Sequence, residues 1–517
     1  MPKNNYFLSA AWAALFAGHA SAAVHPALAS GQLGLYPAAD FRLASGQCQD
    51  CPTPRQALWY FRDEPIAVPR AAGEPPLVWL GSPDRIDDAM LAPDGSRLGE
   101  VPLQLAPKIA SNRSWFDARS LAFFRQREVS ARGTMNSGVF TARSLWPRDF
   151  VLAPSAAAPL KSQDELAGWV QAEHGGARSA YATRTVWQRP GSKGAWAGKP
   201  ALAVMLNGAQ GDDDEAYGGH FAIATGRVGP QGEWSDWLVN NFYNLDSVSE
   251  KGIVASMVPM DSYLMDLNSG QQYYRPSYML VAVLRDARTA AAYQSGIQDV
   301  FTHFYKHDFT YKHAAANCAG ISIDMLRKLG WQVPQRGPTG RVTAVAAYGY
   351  MAASDRSLQS GQKTYDYFTE EQTRLYPAVA FDAIGRDLLA LLDGQAGRTL
   401  SAYEQQLRDD VEAVVLVRIP QVPSSRAFGS APVYSIAEYR ERVPADRSKW
   451  QIVPTPPRPF PAALRDGPAP AEDAPMLPLP VLGTLAGLGA AGTGALWRLR
   501  LWLRRRKLSA APAVRSP

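Results

Sequence analysis

The sequence predicts an α+β protein in which an antiparallel sheet packs on a helix that begins at a cysteine. Three observations support this. Between 201 and 284 the chain carries strand-length apolar runs, among them ALAVML, HFAIATG, WLVNNFY and YMLVAVL, close enough together to pair as neighbours. Two stretches with helical period follow: in the first, 286–305, Tyr293, Ile297, Val300, Phe301 and Phe304 share a face, and in the second Ile321, Met325, Leu326 and Leu329 recur after Cys318. Asn317 stands before Cys318 as an N-cap, and Gly330 and Trp331 close the segment.

At 517 residues, 46% hydrophobic and 10% aromatic, the chain has room for two or three domains with true cores. Residues 1–22 read as a secretory leader: Lys3, an apolar run from Tyr6 to Gly18, and the small residues Ala20, Ser21 and Ala22. From 23 to 152 short apolar runs broken by Gly, Pro and Asp predict a β-rich N-terminal domain, in which Trp115 to Phe124 reads equally as helix. The domain holding the strands and the cysteine helix is expected over 153–335, with a first helix at Glu165 to Glu173. A helical region is expected over 336–452, including Tyr367 to Leu392 and Ser401 to Asp410, with the strand-like run VEAVVLVRI after them. A Pro- and Ala-rich stretch at 453–480 reads as an extended spacer.

Residues 481–503 are long and apolar enough for one membrane-spanning helix, with Trp497 and Trp502 at the interface and a basic cytoplasmic tail over 504–517. Leader and tail together place the folded body on the periplasmic, extracytoplasmic side of a single-pass membrane protein. The cations between Arg498 and Lys507 number six, which is the whole formal net charge of +6. The remainder is near neutral, so no nucleic-acid partner is implied.

Three cysteines in an exported chain leave one over. Cys48 and Cys51, in GQCQDCP, are expected to form a local disulfide; half a zinc site and a redox CxxC are the competing readings of that pair. Cys318 is then the unpaired thiol, placed at a helix N-terminus where backbone N–H groups favour a thiolate nucleophile. Such a nucleophile needs a base, and His220 is the candidate because it follows Gly218 and Gly219 and opens an apolar strand at a sheet edge.

GGHFAIATG followed by NCAGISIDMLRKLG resembles the permuted branch of the papain-like cysteine enzymes, which includes lecithin retinol acyltransferase-like and permuted NlpC/P60 proteins and exported bacterial relatives of the lipoprotein transacylase type. The resemblance covers about 201–331. It implies Cys318 as nucleophile, His220 as base and acid, and an orienting third residue from WSDWLVNNFYN. Asn240 and Asn241 both qualify there, with Asn241 preferred. It also implies an oxyanion held by N–H groups at the start of the cysteine helix, with Asn317 shaping that turn. The expected activity is hydrolysis or acyl transfer at an amide or ester of the cell envelope, in a peptidoglycan peptide, a protein or a lipid acyl group, without a cofactor. Two other readings stand beside it: an inactive envelope structural or binding protein, and a metal-dependent hydrolase using His303, His307 and His313. The first two of those histidines have i, i+4 spacing but no acidic base between them, and no metal is expected there. The acidic run Asp212 to Glu215 lacks the ligand spacing of a calcium loop and reads as a solvated loop.

Overall fold

The computed structural model describes residues 139–443 except 163, 210–214, 245–252, 267–270, 274, 306–310, 315 and 423–428. Ahead of these it describes residue 123 and the strands at 78–80, 90–91, 103–105 and 128–136 and, after them, residue 446. The leader, Cys48 and Cys51, the spacer, residues 481–503 and the basic tail lie outside the described residues. Among the described residues no helix is long and apolar enough to cross a membrane.

The fold is α+β. Five strands, β1 (Val78–Leu80), β2 (Met90–Leu91), β3 (Leu103–Leu105), β4 (Glu128–Asn136) and β5 (Val139–Pro147), make a first sheet in the order β2-β1-β4-β5-β3. Seven more, β6 (Ala182–Gln188), β7 (Pro200–Asn207), β8 (His220–Arg227), β9 (Leu238–Asn244), β10 (Ile253–Pro259), β11 (Ser277–Leu284) and β12 (Val411–Ile419), make a second sheet in the order β10-β9-β8-β7-β11-β12-β6. Every pairing in the second sheet is antiparallel.

Strand alternation divides the second sheet into two covered faces. Ala201, Ala203, Met205, Ala222, Ala224, Met279, Val281 and Val283 point into an aromatic core with Trp146, Phe150, Trp234 and Trp237, to which β5 contributes Leu145 and Trp146. The small residues on β7 and β8 make room for those rings, and at Gly226 a side chain would collide with the Trp237 indole. The other face meets helices. Among these are α1 (Glu165–Gln171), α3 (Arg288–Tyr305) and α4 (Cys318–Leu329), with α2 (Met260–Met265) lying on the aromatic side. The Tyr278 hydroxyl donates to the Val170 carbonyl at 3.1 Å, and Thr225 donates to Gln294 at 2.8 Å, both linking strand to helix.

Chain order and architecture part company after Leu329. Residues 338–370 form a compact unit of their own, a hairpin of α5 (Arg341–Ser354) and α6 (Leu358–Thr369). Its turn places Arg356 at φ 51 and uses Ser357 as N-cap, whose hydroxyl accepts from the Ser360 amide at 3.2 Å. The helix expected over Tyr367 to Leu392 is three helices: α6, the short α7 (Gln372–Leu375) and α8 (Pro377–Leu392). Pro377 explains the second break, because it holds Tyr376 extended at φ −104, ψ 117 and itself takes the first helical position. After α9 (Ala402–Asp410), β12 enters the sheet between β11 and β6, and α10 (Ile436–Arg442) follows. The sheet is therefore completed from beyond the expected boundary at 335, and 371–443 belongs with the strands. Two strands, β6 and β10, stand where no strand was expected, and β9 begins at Leu238 because Trp234 and Trp237 fold inward through a turn closed by Trp237 N–H on Trp234 O at 3.3 Å.

Candidate functional site

Helix α4 is fixed at both ends. Asn317 is its N-cap: Oδ1 accepts from the Gly320 amide at 2.7 Å, while Nδ2 donates to the carbonyls of His313 at 2.8 Å and Leu375 at 3.1 Å. At the far end Gly330 adopts φ 107, and Trp331 N–H reaches the Leu326 carbonyl at 3.0 Å. The Trp331 indole donates to Asp387 at 2.7 Å, and Arg398 bridges Asp387 and Glu404 at 2.6 Å each. Cys318, a free thiol 7% exposed, is thus the first residue of a helix with little freedom to shift.

His220 opens β8 opposite Asn207. Gly219 ahead of it sits at φ 78, and a side chain there would strike the Asn207 carbonyl and come within 2.8 Å of the Pro432 Cβ, whereas nothing lies within 4 Å of a Cβ on Gly218. Gly219 is therefore demanded by the backbone, not by room for a substrate.

The β8–β9 ladder pairs only Ile223 to Thr225, so β8 separates from β9 toward its start. Near this opening Ile223 N–H donates to Asn240 Oδ1 at 3.1 Å, and the Phe221 amide lies where it favours the Cys318 thiolate against burial. The two asparagines divide accordingly. Asn240 serves the scaffold, accepting also from the Tyr293 hydroxyl at 3.0 Å. Asn241, on the other face of β9, places Oδ1 2.7 Å from His220 Nε2. An amide oxygen can only accept, so Nε2 carries the proton and Nδ1 keeps the lone pair of a base.

Tyr311 was not singled out by the sequence. A reciprocal pair of main-chain bonds between Lys312 and Ala316, at 3.2 and 2.8 Å, folds YKHAAANC back on itself and brings Tyr311 onto the cysteine. Its hydroxyl accepts from Cys318 N–H at 3.1 Å and also hydrogen-bonds the thiol. Its ring packs on Phe242 with centroids 5.8 Å apart. Position alone, seven residues ahead of the cysteine, gave no signal for it.

The electrostatics correct one expectation. Burial pushes the Cys318 thiol up, and the opposing bonds from Phe221 N–H, the Tyr311 hydroxyl and Ala319 N–H, with the Arg275 charge, do not overcome it. His220 is pushed down to about 3, chiefly by burial and then by the Arg275 guanidinium, against the Asn241 bond. Both shifts favour the uncharged forms, a neutral thiol and a neutral imidazole, and run against the thiolate expected from the helix terminus. Three amides of the first turn are also engaged: Cys318 with Tyr311, Gly320 with Asn317 Oδ1, and Ile321 with the Asn317 carbonyl at 3.0 Å. Asn317 has both ends of its amide committed to the main chain, so it shapes the turn and does not itself face an oxyanion.

Tyr263 completes the surroundings, its ring centroid 6.2 Å from that of His220 and its hydroxyl on Asn207 Oδ1. Among the described residues no three His, Cys, Asp or Glu side chains gather as a metal site. His303 is half-buried on α3, His313 is exposed, and His307, like most of the acidic run at Asp212 to Glu215, lies outside the described residues. No family model matches the chain, and no curated protein or solved structure matches it.

Proposed function

We propose that the chain is an exported, membrane-anchored thiol enzyme that hydrolyses or transfers an acyl group at an amide or ester bond of the cell envelope, in the manner of the permuted papain-like enzymes. The observation that carries this reading is the His220 Nε2 to Asn241 Oδ1 bond of 2.7 Å, together with a buried free cysteine at the start of α4 whose thiol the Phe221 amide, next along β8 from His220, biases toward the thiolate. In this scheme Cys318 passes its thiol proton to His220 Nδ1 as the sulfur attacks the carbonyl carbon. The oxyanion is met by donors at the start of α4, the Cys318 amide and the Tyr311 hydroxyl, once these exchange their mutual bond for the substrate. His220 then protonates the leaving amine or alkoxide, and the thioester on Cys318 is released to water or to an acceptor amine or hydroxyl. Asn241 keeps the ring in the required tautomer. Anchorage through 481–503 would hold the body beside its substrates at the membrane surface.

The test is acylation of the purified full chain by a p-nitrophenyl ester. A thioester adduct on the Cys318 peptide, absent in Cys318→Ala and formed at least about 100-fold more slowly in His220→Ala, is the expected result. Ester turnover that survives Cys318→Ala would overturn the reading.

A second reading, an envelope binding protein on the same scaffold, draws on the burial of Cys318 and on the engagement of the Cys318 and Gly320 amides at the start of α4. It predicts no adduct from any ester.

A further inference from the structure

One hydrogen bond, from His220 Nε2 to Asn241, does not by itself stop the imidazole from turning. Tyr263 supplies a second constraint. It lies on α2, 3% exposed within the aromatic core, with its ring centroid 6.2 Å from that of His220 and the two planes inclined at 42°. Three bonds pin α2: Met260 N–H donates to Trp237 O at 2.8 Å, Asp261 N–H to Ser235 O at 3.0 Å, and the Ser144 hydroxyl to Asp261 Oδ2 at 3.0 Å. The Tyr263 hydroxyl donates to Asn207 Oδ1, and Asn207 Nδ2 donates in turn to the Ser277 hydroxyl oxygen at 2.8 Å. Asn207 is fully buried, and it is the cross-strand partner of both His220 on β8 and Ser277 on β11. The chain of bonds thus runs along the sheet end where His220 begins its strand, and it fixes the tyrosine ring beside the imidazole.

Two roles are open to a tyrosine in this place, and distance decides between them. A ring attracts a cation within about 6 Å of its centroid, so at 6.2 Å Tyr263 has little charge stabilisation to offer an imidazolium. Packing reaches further, over about 4.5–7 Å between centroids. A buried ring locked by its own hydroxyl blocks the swing that would take Nε2 off Asn241. We propose that Tyr263 is a positioning residue for His220: anchored through Asn207, its ring packs against the imidazole and keeps Nε2 on Asn241, which leaves Nδ1 as the nitrogen for the thiol proton. The inference rests on His220 as the base of the acyl transfer and adds the group that holds it there.

Diethyl pyrocarbonate reads the ring without involving the thiol. An unprotonated ring nitrogen attacks a carbonyl carbon of the reagent; monoethyl carbonate leaves with the bonding pair, takes up the ring proton and breaks down to carbon dioxide and ethanol. The measurement uses the full chain at neutral pH in a Cys318→Ala background. The carbethoxylation rate of the His220 peptide is divided by that of the His174 peptide, whose side chain is 45% exposed. A confined ring reacts slowly, whereas one swung off Asn241 presents both nitrogens. General loosening of the fold would speed both histidines and leave the ratio alone.

With Tyr263 in place the ratio should be about 0.1 or lower. It should rise at least about tenfold in Tyr263→Leu, and about threefold in Tyr263→Phe, which keeps the ring and loses its anchor. A ratio near that of two equally open histidines with Tyr263 in place, which needs no variant at that position to fold, or a ratio unchanged in Tyr263→Leu, overturns the proposal. The consequence for chemistry is read from alkylation of Cys318 by iodoacetamide. Tyr263→Leu should slow it by about tenfold when His220 is present and by less than about twofold in His220→Ala. Equal slowing in both backgrounds marks a general structural effect and overturns the positioning role. An alkylation rate indifferent to His220→Ala removes the base assignment, while the hold of Tyr263 on the ring stands or falls by the first ratio.

Discussion

The depressed His220 pKa predicts how the fold responds to acid. Burial, with help from Arg275, holds the folded imidazole at about 3 against an ordinary 6.5. As pH falls through about 6.5 the unfolded chain takes up a proton that the native ring refuses until near 3, so acid favours the unfolded state. The stabilising contribution is intact above about pH 6.5 and drains away as pH falls toward about 3. At about pH 4.5 the unfolded ring lies about two units below its pKa, which at roughly 1.36 kcal/mol per unit is ~2.7 kcal/mol of lost stability. The ring keeps an edge in solvent, which screens part of this, and about 2 kcal/mol is the expectation. His220→Gln cannot titrate and retains an amide N–H for Asn241. Urea unfolding of both full chains, followed by tryptophan fluorescence from the Trp146, Trp234 and Trp237 cluster, gives the stability at neutral pH and at about pH 4.5. Wild type should lose about 2 kcal/mol more than His220→Gln over that interval. His174, which burial also pushes down, is common to both proteins and cancels in the comparison. Equal losses would refute the reasoning, because they would mean that the folded ring takes up its proton at the ordinary pH.

Other outcomes follow from the same geometry. Asn241→Ala should lower the rate of acyl-adduct formation by about 10- to 100-fold with little change in unfolding midpoint, whereas Asn240→Ala should cost about 1–3 kcal/mol by stripping the Ile223 amide and the Tyr293 hydroxyl of their acceptor. Urea midpoints and single-turnover acylation of the two variants separate these roles. Gly219→Ala should cost about 2 kcal/mol or more, from positive φ together with the clash against Asn207 and Pro432, while Gly218→Ala should lie within about 0.5 kcal/mol of wild type by thermal unfolding.

Much of this site was legible because it depends on local chemistry. Asn317 and Gly330 bracket a helix in any context, and the sequence placed Cys318 at its start. The choice between Asn240 and Asn241 was reduced by strand alternation to two faces, but which face met His220 depended on where the β8–β9 ladder stops. Tyr311 was hidden because its approach is made by a loop closed between Lys312 and Ala316, with no periodicity to read. The thiolate expectation failed for a related reason: a helix terminus is visible in sequence, whereas the burial that outweighs it comes from β8 and the residues around it. In the fold, β6 escaped notice because ATRTVWQ is too polar to announce a strand, and Pro377 was passed over as a break inside an apolar helical pattern.

The place of β12 bears on how the molecule is made. It pairs Arg418 with Ala182 on one side and Ile419 with Ser277 on the other, so β11 lacks its second neighbour and β6 its one neighbour in the sheet until more than four hundred residues have been synthesised. During that interval β11 is an unfinished edge, and a long apolar edge strand recruits whatever extended chain it meets. Any fragment ending before Val411 inherits the open edge.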